Sequence, residues 1–194
     1  GRMAGMPVGP LAVTDEVSIE LQYHVLKQAQ AALGDKWTPP PSWGVVLKMV
    51  EELKRGGRKY GKGFYDYPAD GGKKVLWPGL KEIWPPAAVQ PDVEEVKKRL
   101  LYIQALDTAR CFEEGVVTTA AEADLGSILG WGFPAYTGGT LSFIDTVGIR
   151  EFVAECQKLA KKYGPRFKPS RWLMQRAAEG KRFHPLPGES SSAA

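Results

Sequence analysis

Two distant stretches of this chain carry one pattern. The first reads Gly5-Met6-Pro7-Val8-Gly9-Pro10-Leu11 and continues to Asp15-Glu16-Val17. The second reads Gly132-Phe133-Pro134, then Gly138-Gly139-Thr140-Leu141, then Asp145-Thr146-Val147. Leu, Asp and Val follow at steps of four and then two positions in both, and the second copy has three extra residues between its Pro and the Gly before Thr140. A pattern repeated at this distance predicts a duplicated helical unit. The chain has 194 residues, enough for one good core or two small ones. Hydrophobic residues at 43% and charged residues at 25% place it with globular chains rather than disordered ones.

The units read as helical. Leu21, Val25, Leu26, Ala29 and Leu33 recur at three- and four-residue steps within one helix predicted over 11–33, which Gly34 closes. Pro39 to Pro41 break the chain, and Ser42 is placed to cap a second helix that runs to Gly56. Residues 56–91 are rich in Gly and Pro and read as loop, with one helical turn over Gly79–Trp84. Further helices are predicted from Pro91–Asp92 to Gly115, from Thr118 or Thr119 to Gly130, over 149–163 and over 170–178. The expectation is an all-α chain of two related helical units, 1–90 and 91–184, with no Rossmann domain and a disordered tail from Pro185.

Much chemistry is excluded. Two histidines, His24 and His184, cannot supply a histidine-based metal site, and His184 is expected to fray with the tail. Cys111 and Cys156 are too few for a disulfide framework and read as small buried hydrophobes. No Gly-x-Gly-x-x-Gly follows a strand; Gly57, Gly61 and Gly63, and likewise Gly126, Gly130 and Gly132, read as turns. No Gly-Lys pair is followed by Ser or Thr, so there is no phosphate-binding Walker loop. No apolar run approaches the roughly 20 residues of a membrane span, and no secretory leader is read at the start, so the cytoplasm is the expected location.

The most specific stretch, Leu129-Gly-Trp-Gly-Phe-Pro-Ala-Tyr-Thr-Gly-Gly-Thr-Leu-Ser-Phe-Ile-Asp-Thr-Val-Gly148, carries a family resemblance. It is joined by Lys162–Phe167, Gly5–Leu11, the loop Gly57–Tyr67 and the helix Leu100–Gly115. At these motifs the chain resembles the C-terminal helical region of bacterial multifunctional fatty-acid oxidation proteins, which join enoyl-CoA hydratase to 3-hydroxyacyl-CoA dehydrogenase. The resemblance implies two copies of a dehydrogenase C-terminal helical domain, of the 6-phosphogluconate dehydrogenase C-terminal-like fold, packed as a pseudo-dimer. It also implies oxidation of (3S)-3-hydroxyacyl-CoA to 3-oxoacyl-CoA in the parent, with NAD held by a Rossmann domain outside this chain. The family's catalytic His, Glu and Ser lie in that NAD domain. Its substrate-contacting Asn lies in a helix just upstream of the Gly5–Leu11 motif. This chain contains no Asn, so it is expected to begin after that helix and to be inactive alone, with no catalytic residue of its own.

The family's Gly-x-Pro-x-Gly-Pro-Leu turn faces the cleft between domains, so Pro7, Val8, Gly9 and Pro10 are candidates for the acyl-pocket wall. Arg58, Lys59 and Lys62 are candidates for attracting the phosphates of coenzyme A. Two departures matter: Tyr60 stands where relatives often carry a smaller polar residue, and Thr140 replaces a common Pro. The implied partners are the hydratase and NAD domains of the parent, the acyl-CoA substrate and a thiolase subunit, with self-association left open. The formal charge of +4 does not demand a polyanion partner, although Lys158–Arg182 holds nine Lys or Arg against one Glu. That clustering suits a solvated face better than nucleic acid, for which Tyr60, Phe64, Tyr65 and Tyr67 would have to stack on bases. The competing class is a free-standing helical interaction module.

Overall fold

The structure is a computed structural model, and it describes residues 1–186. Its elements are helical apart from one short hairpin. In chain order these are α1 (Pro10–Val17), α2 (Ile19–Leu33), α3 (Trp43–Leu47), β1 (Tyr65–Asp66), β2 (Val75–Leu76), α4 (Gly79–Ile83), α5 (Val93–Glu113), α6 (Ala120–Trp131), α7 (Thr140–Val147), α8 (Ile149–Tyr163) and α9 (Arg171–Glu179). Strands β1 and β2 pair antiparallel, with Tyr65 opposite Leu76. The chain separates into two compact units: Val8–Gln90, and Gly1–Pro7 together with the chain from Pro91 onward. The first seven residues thus pack with the later unit, apart from the segment that follows them.

In the first unit Gly9 and Pro10 open α1, the Pro sitting where a missing N–H costs nothing. The single helix predicted over 11–33 is broken at Ser18, whose φ of 87° and ψ of 121° lie outside the helical region. The Ser18 hydroxyl accepts from Leu21 N (3.3 Å) and donates to the Gly56 carbonyl (3.1 Å), which holds this unusual conformation. After α3 a π-turn, Lys48–Glu52, carries the chain to Leu53. Ile19, Val46, Met49 and Phe64 form the core, flanked by Leu26, Leu80 and Trp84.

In the second unit Asp92, Thr119 and Ser170 cap α5, α6 and α9 through their side-chain oxygens. The α7 helix was not anticipated as an element of its own. Gly126 and Gly130, read as turn residues, lie inside α6, and only Gly132 (φ 75°) ends that helix. The core is built on Leu106, Leu141, Ile144, Phe152, Cys156 and Leu173. Tyr102 stacks on Phe152 with ring centroids 4.7 Å apart.

The two copies coincide in geometry. An eight-residue helix, a residue with positive φ and a fifteen-residue helix follow one another as α1–Ser18–α2 and again as α7–Gly148–α8. The linking residues share their backbone angles: 87° and 121° at Ser18, 90° and 121° at Gly148. Within the second unit the copied Gly-x-Pro motifs also touch reciprocally. A methyl group on Gly5 would lie 2.6 Å from Pro134 Cγ, and one on Gly132 would lie 3.0 Å from Pro7 Cγ. Position i meeting j while j meets i is the mark of a two-fold contact, here made by two copies of one motif in a single chain. Glycine is required at Gly5, since any side chain would collide with the proline ring.

Candidate functional site

Each copy uses one buried aspartate to grip a distant strap of backbone. Asp15, fully buried near the end of α1, accepts from Phe64 N (2.8 Å), Tyr65 N (2.9 Å) and the Tyr67 hydroxyl (2.9 Å). Asp145, at the matching place in α7, accepts from Phe183 N (3.0 Å) and His184 N (2.8 Å). Burial, and then the bond to Asp15, drives the Tyr67 phenol far above its ordinary pKa. His184 therefore does not fray. It is held by its amide and, through Nε2, by Asp124 at 2.7 Å. The rest of the expected tail, from residue 187, lies outside the described residues.

Asp124 also caps α7, accepting from Leu141 N (2.7 Å), Ser142 N (3.1 Å) and the Ser142 hydroxyl (2.6 Å). Ser, Asp and His thus meet, but in the wrong order for nucleophilic catalysis. Both Ser142 and His184 bond to the carboxylate, so the imidazole is not placed to take the hydroxyl proton. The cluster fastens α6, α7 and the strap together.

The Gly57–Tyr67 loop is organised from inside by a residue that the sequence reading passed over. Arg55 is only 7% exposed, donates to Gly63 O (2.7 Å) and Tyr65 O (3.2 Å), pairs with Asp66, and lies 4.1 Å over the Trp77 ring. A guanidinium bridging two carbonyls and stacked on indole fixes the loop's path. Its sequence signal was an Arg directly before Gly56–Gly57 with Trp77 downstream, too general to single out.

The candidate contact residues are not brought to one point. Val8, Gly9 and Pro10 stand at the start of α1, with Val8 exposed, whereas Arg58 reaches Glu16 at its other end through two bonds of 2.7 and 2.8 Å. That pairing raises the Arg58 pKa, chiefly through the hydrogen bonds to Glu16. Lys59 lies 5.6 Å over the Tyr60 ring, and the Lys62 carbonyl accepts from Gly57 N. Pro7 packs in the other unit, against Gly132. Of the aromatic residues considered for stacking, Phe64 is buried and Tyr67 is tied to Asp15. Cys156 is fully buried, and burial pushes its thiol up to about 12, which makes it a packing residue rather than a nucleophile. Among the described residues, no helix is long and apolar enough to cross a membrane.

The fold is one of helical units apart from a short hairpin, with the same aspartate latch in each of the two copies. Residues 1–67 match the family model described as the 3-hydroxyacyl-CoA dehydrogenase, C-terminal domain. That stretch contains both the Gly5–Leu11 motif and the Asp15-latched loop, so the family resemblance is borne out there. The structure is also similar to the crystal structure of 3-hydroxybutyryl-CoA dehydrogenase from Escherichia coli K12 substr. MG1655, with a TM-score of 0.59 at 18% identity over 91% of this chain. The chain spans about half the length of that enzyme, 52% of it being covered.

Proposed function

We propose that this chain is the C-terminal helical part of an NAD-dependent 3-hydroxyacyl-CoA dehydrogenase of fatty-acid β-oxidation, within a multifunctional cytoplasmic protein. The family match over residues 1–67 carries the reading. In the parent the reaction oxidises (3S)-3-hydroxyacyl-CoA to 3-oxoacyl-CoA. A dinucleotide site needs a strand that leads through a Gly-rich turn into a helix N-terminus. The described residues offer only a two-stranded hairpin of two-residue strands, so they do not fit NAD, and no step of hydride transfer is assigned to them.

The chain's own part is support. The reciprocal Gly-x-Pro contact suits a pseudo-dimer scaffold made of both copies. Val8, Gly9 and Pro10 are suited to line the acyl cleft because they form a rigid, partly apolar turn. Lys59 and Lys62 remain exposed beside it in sequence to attract the phosphates of coenzyme A, Arg58 being shared with Glu16.

The test compares residues 1–194 with the full polypeptide that carries them, following NADH at 340 nm with 3-hydroxybutyryl-CoA. The full polypeptide is expected to turn over and residues 1–194 alone to give none. Turnover by residues 1–194, or none by the full polypeptide, overturns the proposal.

A further inference from the structure

The nine cations of Lys158–Arg182 are not equivalent once the chain is folded. Lys158, Lys162 and Lys181 pair with Glu155, Glu95 and Glu179. Arg176 lies 4.8 Å over the Phe183 ring and donates to the Arg182 carbonyl at 2.6 Å, and Arg182 donates to the His184 carbonyl at 3.2 Å. Lys161, Arg166, Lys168 and Arg171 remain, and all four are exposed. Among the described residues their side chains meet no carboxylate and no hydrogen-bond partner; Arg166 lies 5.3 Å over the Phe167 ring. Asp107 of α5 pairs with Arg110 rather than with any of the four.

They sit on one well-anchored connection between α8 and α9. Gly164 (φ 100°) ends α8, the Pro165–Phe167 turn follows, and the Ser170 hydroxyl caps α9. Arg110 of α5 donates to the Arg166 carbonyl (3.4 Å) and the Lys168 carbonyl (3.0 Å). Burial alternates along the turn: Phe167 and Pro169 are buried, while Arg166, Lys168 and Arg171 are exposed. The backbone is pinned and the cations are free. Helix electrostatics account for Lys161, in the last turn of α8, where a cation offsets the carbonyl ends. They do not account for the others. Arg171 opens α9 and Lys168 stands just before it, at the end of a helix that disfavours cations, and the first turn of α9 holds no acid. Unpaired charge kept where the fold disfavours it is explained by a partner outside the chain.

The layout sets the partner's chemistry. The four cations are spread from residue 161 to residue 171 and do not converge on a pocket; the groove between α5 and α8 includes none of them and is lined by more carboxylates than lysines. Among the described residues from Gly148 to His184 no large apolar side chain is exposed, so nothing there inserts into an acyl layer. Nor are the neighbouring rings free to stack on bases, since Phe167 is buried and Trp172 packs with Phe112 and Phe183. Scattered cations on a firm backbone, without groups that insert or stack, suit a sheet of mobile phosphate headgroups. We propose that the α8–α9 turn docks on the surface of an anionic lipid bilayer through Lys161, Arg166, Lys168 and Arg171, by electrostatic attraction alone. Each cation near such a surface raises partitioning about fivefold, and the four together roughly several-hundredfold.

The experiment sediments residues 1–194 with vesicles of phosphatidylcholine holding about 30% phosphatidylglycerol, at about 25 mM and about 500 mM NaCl. Binding is expected at the lower salt and lost at the higher, where charge is screened within a few ångströms, and pure phosphatidylcholine should not bind. Lys161→Gln, Arg166→Gln, Lys168→Gln and Arg171→Gln together should lower the partitioning about a hundredfold or more. Changing the exposed Lys36, Lys54, Lys73 and Lys81 to Gln removes the same net charge from the other unit and should lower it less than about tenfold. No binding at the lower salt, binding that survives the higher salt, or equal loss in the two variants overturns the proposal. So does release from the vesicles by about 10 mM inorganic phosphate at constant ionic strength, which would mark a discrete anion site. Tighter binding of a single DNA strand through the same four residues also overturns it, nucleic acid then being the partner. Arg171→Glu should raise the urea midpoint, since an acid replaces a cation at the start of α9. A lowered midpoint would mean that the fold itself uses Arg171, and overturns the proposal. No substrate is involved, so failure of the dehydrogenase reading would leave these readouts unchanged.

Discussion

Replacing Gly148 by Ala isolates the energetic cost of the bend that both copies share. Gly148 has φ 90° and ψ 121°, a conformation that L side chains rarely adopt, and a β-carbon there would meet nothing within 4 Å. No clash contributes, so the cost is the backbone term alone, about 1–3 kcal/mol. The stiffer unfolded chain of the Ala variant offsets roughly 0.4–1 kcal/mol of this, which leaves a net loss centred near about 1.3 kcal/mol and no larger than roughly 2.6 kcal/mol. For a chain of this size the central value lowers Tm by roughly 3–5 °C. Gly148→Ser should lose less than Gly148→Ala by about 0.5–1 kcal/mol, because a hydroxyl there can accept from the Glu151 amide as the Ser18 hydroxyl accepts from Leu21 N at 3.3 Å. Urea unfolding of the three proteins, followed by circular dichroism, gives both differences. An unchanged midpoint for the Ala variant, or a Ser variant weaker than the Ala one, would refute the reasoning that the two bends are one device.

Other outcomes follow from particular side chains. Thr140 is fully buried and its hydroxyl has no partner, so Thr140→Val should leave stability unchanged or raise it by up to about 1 kcal/mol in the same urea experiment. Burial pushes the Tyr102 phenol up to about 12, and that of Tyr67 is also raised, chiefly by burial. Both bind their protons more tightly folded than unfolded, so the stability they add is complete below pH 10 and is lost as pH climbs towards 12. Absorbance at 295 nm should show these two ionising last, and only as the chain unfolds. Native Cys156 should resist a thiol reagent at pH 8 for as long as the fold persists, with Cys111, which is half-buried, reacting first by mass spectrometry.

The helices with long apolar stripes, α2, α5, α8 and α9, were legible because burying one face imposes a three-and-four periodicity on the sequence. The break at Ser18 was not. Serine gives no sign that its φ will be positive, whereas Gly148 at the matching place does, and laying one copy on the other would have revealed the break. The α7 helix escaped for a related reason: eight residues begun by two glycines look like a turn in isolation. His184 was misread because the aspartates that hold it lie 39 and 60 residues away, and one-dimensional pattern reading cannot see such a grip. Arg55 was hidden because an arginine is ordinarily a surface residue, and its burial depends on Trp77 and on carbonyls that only the folded loop presents. At the candidate site, Gly9–Pro10 as a helix start was readable from local chemistry. The engagement of Arg58 by Glu16, 42 residues apart, was not.

The account stands on two copies of one unit, each closed by its own buried aspartate. Amide hydrogen exchange in Asp15→Ala and Asp145→Ala reads this directly. Losing Asp15 should expose the Phe64 and Tyr65 amides while those of Phe183 and His184 stay protected, and losing Asp145 should do the converse. Protection that survives removal of the matching aspartate, or straps that open together in either variant, would contradict it.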